Sequence, residues 1–259
     1  MEKEKGISGS TLKMIAIVTM LIDHIGAAVL ARLLMVNGLG ELDQTNTDAI
    51  MQWLSANGAL YGTYTVMRMI GRVAFPIFCF LLVEGFLHTH DVKKYAMRLG
   101  LFALLSEIPF DLAFSSKILE FNYQNVFFTL FIGLLTMIAY RAVEEKEEWG
   151  QAWKVILYIL IVAAGMALAY FLKTDYAEKG VFCIMVLYIF RKKKMWQLIA
   201  GCASFIWETP ALFGFIPIAF YNGTRGWKMK YFFYIFYPAH LLILYLLCYF
   251  MGISGYSAV

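Results

Sequence analysis

Charge is the scarcest property of this 259-residue sequence: Asp, Glu, Lys and Arg together make up only 15% of it, against 61% hydrophobic residues. That balance, with a mean hydropathy of +0.67, excludes an ordinary soluble domain and puts the chain among polytopic membrane proteins. Cysteine is also sparse. The four present, Cys79, Cys183, Cys202 and Cys248, each lie in an apolar stretch with no CxxC spacing and no His beside them. They read as small buried hydrophobes, with no metal site and no disulfide framework. The sequence has no internal repeat, low-complexity tract or soluble segment, so residues 1–259 read as one integral-membrane domain. The net charge of +4 comes from basic clusters between apolar runs. That is the pattern of the positive-inside rule, with no nucleic-acid partner implied.

The apolar runs set the architecture. Met1-Glu-Lys-Glu-Lys5 precedes a run of more than 20 residues with no small-residue cleavage site, which reads as a retained first span. Ser8-Gly-Ser10-Thr11 supplies cap residues for a helix over 11–35. A wet loop with Glu41, Asp43 and Asp48 follows, then a short surface helix near 49–56. The stretch 58–90 is longer than a span needs and contains Gly71 and Pro76, which predict a break near its middle. Further spans are expected over 95–116, 123–142, 153–172 and 176–190, and a last one over 230–252. Glu208-Thr-Pro210 divides 195–222, which reads either as one kinked span or as two half-spans. Two half-spans, the reading preferred here, would return Arg225, Lys228 and Lys230 to the side that holds Lys93, Lys94, Arg98 and Arg191-Lys-Lys-Lys194. The expected fold is an all-α polytopic bundle of eight or nine segments, some kinked or half-length, around a polar cavity. Its N-terminus is expected in the cytoplasm, and the bilayer is its first partner.

Polar residues inside these spans carry the functional signal. Lys13 and His24 are separated by ten residues. At about 100° per residue both lie on one helix face, roughly 16 Å apart along the axis. Arg68 and Arg72 are one turn apart, as are Glu107 and Asp111, while Asn125, Thr129 and His240 come to similar depths from other spans. Each intramembrane charge costs about 2.5–3.5 kcal/mol on insertion scales, so Asp23, Arg68, Arg72, Glu107 and Asp111 must face one another or water. Helix-holding polar contacts explain any one of them, but a set with two histidines points to a functional cavity. Asp23 lies about 100° around the helix from His24 and is expected to anchor Arg68 or Arg72. Glu84 with His88 reads as an interfacial pair, and the methionines as packing.

Several segments together resemble the TraX family: Ser10-Thr-Leu-Lys13, Ile22-Asp-His-Ile-Gly26, Arg68-Met-Ile-Gly-Arg72-Val-Ala-Phe-Pro76, Glu84-Gly85, Glu107-Ile-Pro-Phe-Asp111, Gln124-Asn-Val-Phe-Phe-Thr129, Tyr221-Asn-Gly223 and Tyr237-Pro-Ala-His-Leu241. The family is named for a membrane protein that N-acetylates conjugative pilin, and it is similar to the acyltransferase-three superfamily. There an Arg or Lys, ten residues and a His mark the first helix, so the resemblance assigns His24 the catalytic position. The arginines of that superfamily are more often two residues apart, whereas Arg68 and Arg72 are separated by three. The resemblance implies a bacterial cytoplasmic-membrane enzyme that uses acetyl-CoA, or another acyl-CoA, as donor substrate. The acceptor would be an amine or hydroxyl on a protein N-terminus, a glycan or a small molecule. In this reading His24 is the general base, with Asp23, Arg72 and Asn125 completing the catalytic set. Lys13, Arg68, Arg72, Lys93 and Lys94 hold the donor, and Glu107, Asp111, Tyr237 and His240 hold the acceptor. The competing reading is a proton-coupled transporter of a small anionic solute, because intramembrane His, Asp, Glu and Arg also line such pathways.

Overall fold

Side-chain caps start most of the long helices. In the computed structural model, which describes residues 6–43, 45–227 and 230–257 (Lys230 by its backbone alone), Ser8 caps α1 (Gly9–Ile25) by accepting from the Thr11 amide. Asn46 caps α3 (Thr47–Gly71), Asp91 caps α5 (Val92–Ser115) and Asn125 caps α6 (Val126–Glu144) in the same way. Helix α1 continues through a π-turn, Gly26–Leu30, into α2 (Ala31–Val36). The wider turn starts two residues after His24 and turns the Ala28 carbonyl to side-chain donors, Arg32 Nη1 at 2.8 Å and Cys248 Sγ at 3.6 Å.

Helix α3 is continuous, so the separate surface helix expected near 49–56 does not exist. Asn46 caps one long helix, and Gly58 and Gly62 sit within it with open space around them. The expected break in the second apolar stretch is present, but it falls at Arg72–Val73, ahead of Pro76. Pro76 occupies the first turn of α4 (Ala74–His88), where a missing N–H costs nothing. Helices α7 (Gln151–Phe171) and α8 (Ala177–Ile189) match the expected spans closely.

The divided stretch forms α9 (Lys194–Ser204), a 3-10 turn (Thr209–Gly214) and α10 (Phe215–Ala219). Lys194 Nζ donates to the Tyr221 carbonyl at 2.8 Å, so the chain goes in and comes back as two half-length pieces. The return brings Thr224 and Arg225 to the amides of Gly9 and Ser10, beside the start of α1. Helix α11 (Lys230–Phe250) therefore starts at the same end as α1 and packs against α5 and α1. Residues 1–5 and Lys228 lie outside the described residues.

Among the described residues, five stretches are long and apolar enough to cross a membrane: Gly9–Val36, Thr47–His88, Val126–Glu144, Gln151–Phe171 and Tyr231–Phe250. Helix α5 is longer than some of these at 24 residues, but it carries the charges singled out above. Large apolar side chains such as Leu104, Ile159, Phe171, Ile243 and Phe250 are exposed around the outside, as expected of a lipid-facing belt. The four cysteines are free, and three of them are buried. The chain is an all-α polytopic membrane protein.

Candidate functional site

The break between α3 and α4 opens space at the centre of the bundle. Helix α1 passes that break so closely that Gly71 lies directly against the Asp23 side chain. The resulting cavity, about 110 Å³, is lined by Asp23, His24, Arg68, Arg72, Tyr237 and residues of α5, α6 and the loop before α8. Asp23 Oδ2 accepts from Arg68 Nη1 at 2.7 Å, the anchoring expected from its position on the helix. Arg72 instead faces Glu208 of the divided stretch, Nε to Oε1 at 3.4 Å. Each guanidinium thus has a carboxylate, and both still line the cavity.

His24 Nδ1 lies 2.7 Å from His240 Nε2 on α11. The two rings are parallel to within 1° with centroids 5.0 Å apart. A nitrogen–nitrogen contact at that centroid spacing means the rings meet edge to edge in one plane rather than face to face. The other nitrogen of His240, Nδ1, lies 2.7 Å from the Phe236 carbonyl. Phe114 and Tyr237 pack edge-on against the His24 ring at 5.4 and 5.9 Å. No described residue hydrogen-bonds His24 Nε2, which is the ring nitrogen left for a ligand.

Three residues expected at the chemistry lie outside the cavity and make structural contacts. Asn125, 0% exposed, caps α6 through Oδ1 to the Phe127 amide at 3.0 Å and gives its Nδ2 to the Ala103 carbonyl and to Glu107. It does not line the cavity; the role that its contacts give it is that of a helix cap. Glu107 is its partner, and Asp111 accepts from the Glu120 amide at 2.8 Å, which closes the loop between α5 and α6. Hydrogen bonds from Lys117 and Asn122 hold the Glu120 carboxyl down at about 2, so the loop keeps its own charge well below neutral pH. Neither Glu107 nor Asp111 lines the cavity, and each keeps one buried carboxylate oxygen, Oε1 and Oδ1, with no hydrogen-bond partner among the described residues.

The basic residues are also apart from it. Lys13 lies over the Phe233 ring of α11 at 5.2 Å, about 16 Å along α1 from His24 at 1.5 Å per residue. Lys93 and Lys94 are exposed at the start of α5, with Lys94 paired to Asp91 at 3.0 Å. From Lys94 to Phe114, which touches His24, is about 30 Å of helix. Stacked Phe102 and Tyr234 lie in the packed layer between.

A carboxylate and three tyrosines at the cavity, and a second carboxylate, Glu208, behind Arg72, were not expected there. Asp175 accepts from the Tyr123 hydroxyl at 2.7 Å, and its amide donates to the Gln124 carbonyl at 2.8 Å, tying the loop before α8 to the start of α6. Tyr176 takes a left-handed φ of 64°, which a bulky residue adopts only when its surroundings hold it there. Its ring stacks on Phe75 at 3.6 Å. Tyr64, Tyr123 and Tyr176 line the same cavity. Glu208 did carry a signal, being a carboxylate in an apolar stretch, but its role as a breaker masked it. Asp175 sits in a short polar loop, and nothing in its sequence context marks that loop as folding inward.

A protein of Dichelobacter nodosus named "Probable fimbrial assembly protein FimC, serogroup H1" is 26% identical over 215 residues, covering 70% of this chain and 82% of that protein. No solved structure matches the chain. Residues 8–248 match the family described as TraX protein, a span that takes in every helix positioning the cavity. The chain belongs to the TraX family.

Proposed function

We propose that this chain is a membrane-embedded acyltransferase that moves an acyl group, acetyl in the simplest case, from acyl-CoA to an amine or hydroxyl acceptor, with His24 as general base. The observation that carries the reading is an imidazole with one uncommitted nitrogen in the wall of a small cavity, flanked by two guanidinium groups. A neutral imidazole is the side chain suited to take a proton near neutral pH. His24 Nε2 removes the proton from the acceptor N–H or O–H as the nucleophile's lone pair attacks the thioester carbonyl carbon. The C–S bond then breaks, and the CoA thiolate takes the proton back from the imidazolium and leaves as the thiol. Arg68 and Arg72, fixed by Asp23 and Glu208, suit the charge that develops on the carbonyl oxygen. Apolar walls from Phe75, Phe110 and Phe114 keep water from competing with the acceptor.

Basic side chains concentrate at the end where α1 and α11 start, which the positive-inside rule places in the cytoplasm of a bacterial inner membrane. The CoA nucleotide would then meet Lys13 first, with Lys93 and Lys94 nearby as a diffuse attraction. The α1–α11 seam leads from there to His24. Family membership and the fimbrial name of the Dichelobacter nodosus relative support a subunit of a surface appendage as acceptor.

The test uses purified protein in lipid, acetyl-CoA, and a panel of peptide amines and hydroxyls, with thiol release and acyl transfer both followed. His24→Ala is expected to lower the rate by about 10²–10⁴-fold, the usual worth of a positioned base. A wild-type rate in that variant would remove the mechanism. Solute movement in proteoliposomes without thiol release would favour the transporter. Lys13→Ala is expected to raise KM for acetyl-CoA by about tenfold, or roughly 1.4 kcal/mol, with kcat little changed. An unchanged KM would place the nucleotide elsewhere.

A further inference from the structure

The two histidines form an ordered hydrogen-bond chain, and the donors and acceptors along it can be assigned from one end. The Phe236 carbonyl can only accept, so His240 Nδ1, 2.7 Å away, must carry a hydrogen. In the neutral ring that leaves His240 Nε2 with a lone pair. His24 Nδ1, 2.7 Å from that lone pair, must therefore be its donor. One hydrogen then remains on His24 Nδ1, and the lone pair falls on Nε2, the nitrogen with no partner among the described residues. The rings are coplanar within 1°, the orientation in which such a bond is strongest.

We propose that His240 is a positioning residue: anchored by the Phe236 carbonyl, it selects the tautomer of His24 that presents a basic Nε2 to the cavity and holds the ring at that angle. The role corresponds to that of the carboxylate behind the histidine of a hydrolase triad, filled here by a second imidazole and a main-chain carbonyl. A neutral orienter suits this depth better than a carboxylate, because it adds no further buried charge. Helix α11 is adapted to the task. Pro238, two residues before His240, removes the N–H that would otherwise bond the Tyr234 carbonyl and so loosens the turn that carries Phe236 and His240. His240 itself is only 5% exposed, so it reaches His24 but offers little surface to an acceptor. This replaces the expectation that His240 contacts the acceptor, and it rests on His24 being the base.

The first test needs no variant. In ring-¹⁵N-histidine protein reconstituted in nanodiscs, with signals assigned by their loss in His24→Gln, His24 is expected to show a protonated Nδ1 and a bare Nε2. A protonated Nε2 on His24 in the wild-type protein overturns the proposal. Kinetics with acetyl-CoA and the peptide panel give the second test. His240→Phe is expected to lower kcat by about 10²–10⁴-fold, on the scale of an imidazole held in the wrong tautomer, with KM for acetyl-CoA within about threefold. In His240→Gln the amide oxygen can accept from His24 Nδ1 and is expected to recover at least tenfold of that loss. A wild-type kcat in His240→Phe, or no recovery in His240→Gln, also overturns it. If His24→Ala abolishes transfer while His240→Phe does not, only the positioning role fails. If His24→Ala is fully active, the acyltransfer reading itself fails.

Discussion

Replacing Arg32 with leucine is expected to cost about 2–5 kcal/mol of stability, the scale of taking the donor from two or more helix-end carbonyls at about 1–3 kcal/mol each. Arg32 is 0% exposed and has no carboxylate partner among the described residues. Its five N–H groups are all used: Nε donates to the Tyr256 carbonyl at 2.9 Å, Nη1 to the carbonyls of Ala28 and Ala113, and Nη2 to the Leu112 carbonyl and Ser116 Oγ, the hydroxyl at 2.9 Å. Leu112 and Ala113 belong to the last turn of α5, whose carbonyls have no partners within the helix and carry its negative dipole end. The guanidinium therefore caps α5 and neutralises that end while holding α2 and residue 256 against it. Leucine would fill the space and leave the Leu112 and Ala113 carbonyls without a side-chain donor, while the Ala28 and Tyr256 carbonyls keep only Cys248 Sγ and Ser116 Oγ. Lysine, a compact point charge with three donors, is expected to recover less than half of the loss. Unfolding by titration of SDS into mild detergent would measure both. A midpoint for Arg32→Leu equal to that of wild type would refute the cap. Because Phe114, in the same turn, packs against His24, a loosened α5 terminus is also expected to lower activity.

Much of this molecule was legible because hydrophobic runs and their breakers are local signals. The division of 195–222 at Glu208–Pro210 and the break between Arg68 and Pro76 both follow from residue type alone. The Asp23–Arg68 pair was also legible, since an intramembrane carboxylate off the His24 face must find a cation on a neighbouring helix. Other features depended on contacts between distant residues. Arg32 lies near the predicted end of a span, where an arginine normally reaches interfacial water, and only the return of residue 256 encloses it. Asn125 was read only as a polar residue at depth, and its place directly before α6, where its amide oxygen caps the helix, is a local signal that this reading passed over. Asp175 lies in a loop that pairs with residue 124 and folds inward, a long-range event without periodicity. His240 was legible as a polar residue at depth but not as the partner of His24. That contact depends on α1 and α11 running in the same direction, which the chain achieves only through the half-length pair at α9 and α10.

Gly71→Ala is expected to be among the most damaging single-methyl changes available in this chain. A Cβ at Gly71 would overlap the Cβ, Cγ and Oδ1 of Asp23. The Asp23 Cβ is fixed to its own backbone and cannot rotate away, so α1 and α3 must part. Overpacking alone costs about 1–3 kcal/mol. Here the displacement also pulls Asp23 Oδ2 from Arg68 Nη1, where the two lie 2.7 Å apart, and breaking a mostly buried pair costs about 3–5 kcal/mol. Asp23 has little reserve, because its Oδ1 accepts no hydrogen bond among the described residues. The two penalties arise from one contact, so they should not add. Asp23→Gly removes the overlapping atoms and also the carboxylate. Gly71→Ala in that background is then expected to cost less than about 1 kcal/mol, a coupling of several kcal/mol between positions 48 residues apart in sequence. SDS-titration midpoints for the two single variants and the double variant complete the cycle, and additive costs would show that the α1–α3 approach is looser than described. Since Asp23 precedes His24 directly, acyl transfer is expected to fall in both single variants. It should not return in the double variant, because the close approach is restored but Arg68 still lacks its carboxylate. That split between recovered stability and absent activity distinguishes a carboxylate needed to hold the Arg68 guanidinium at the cavity from a residue needed only for packing.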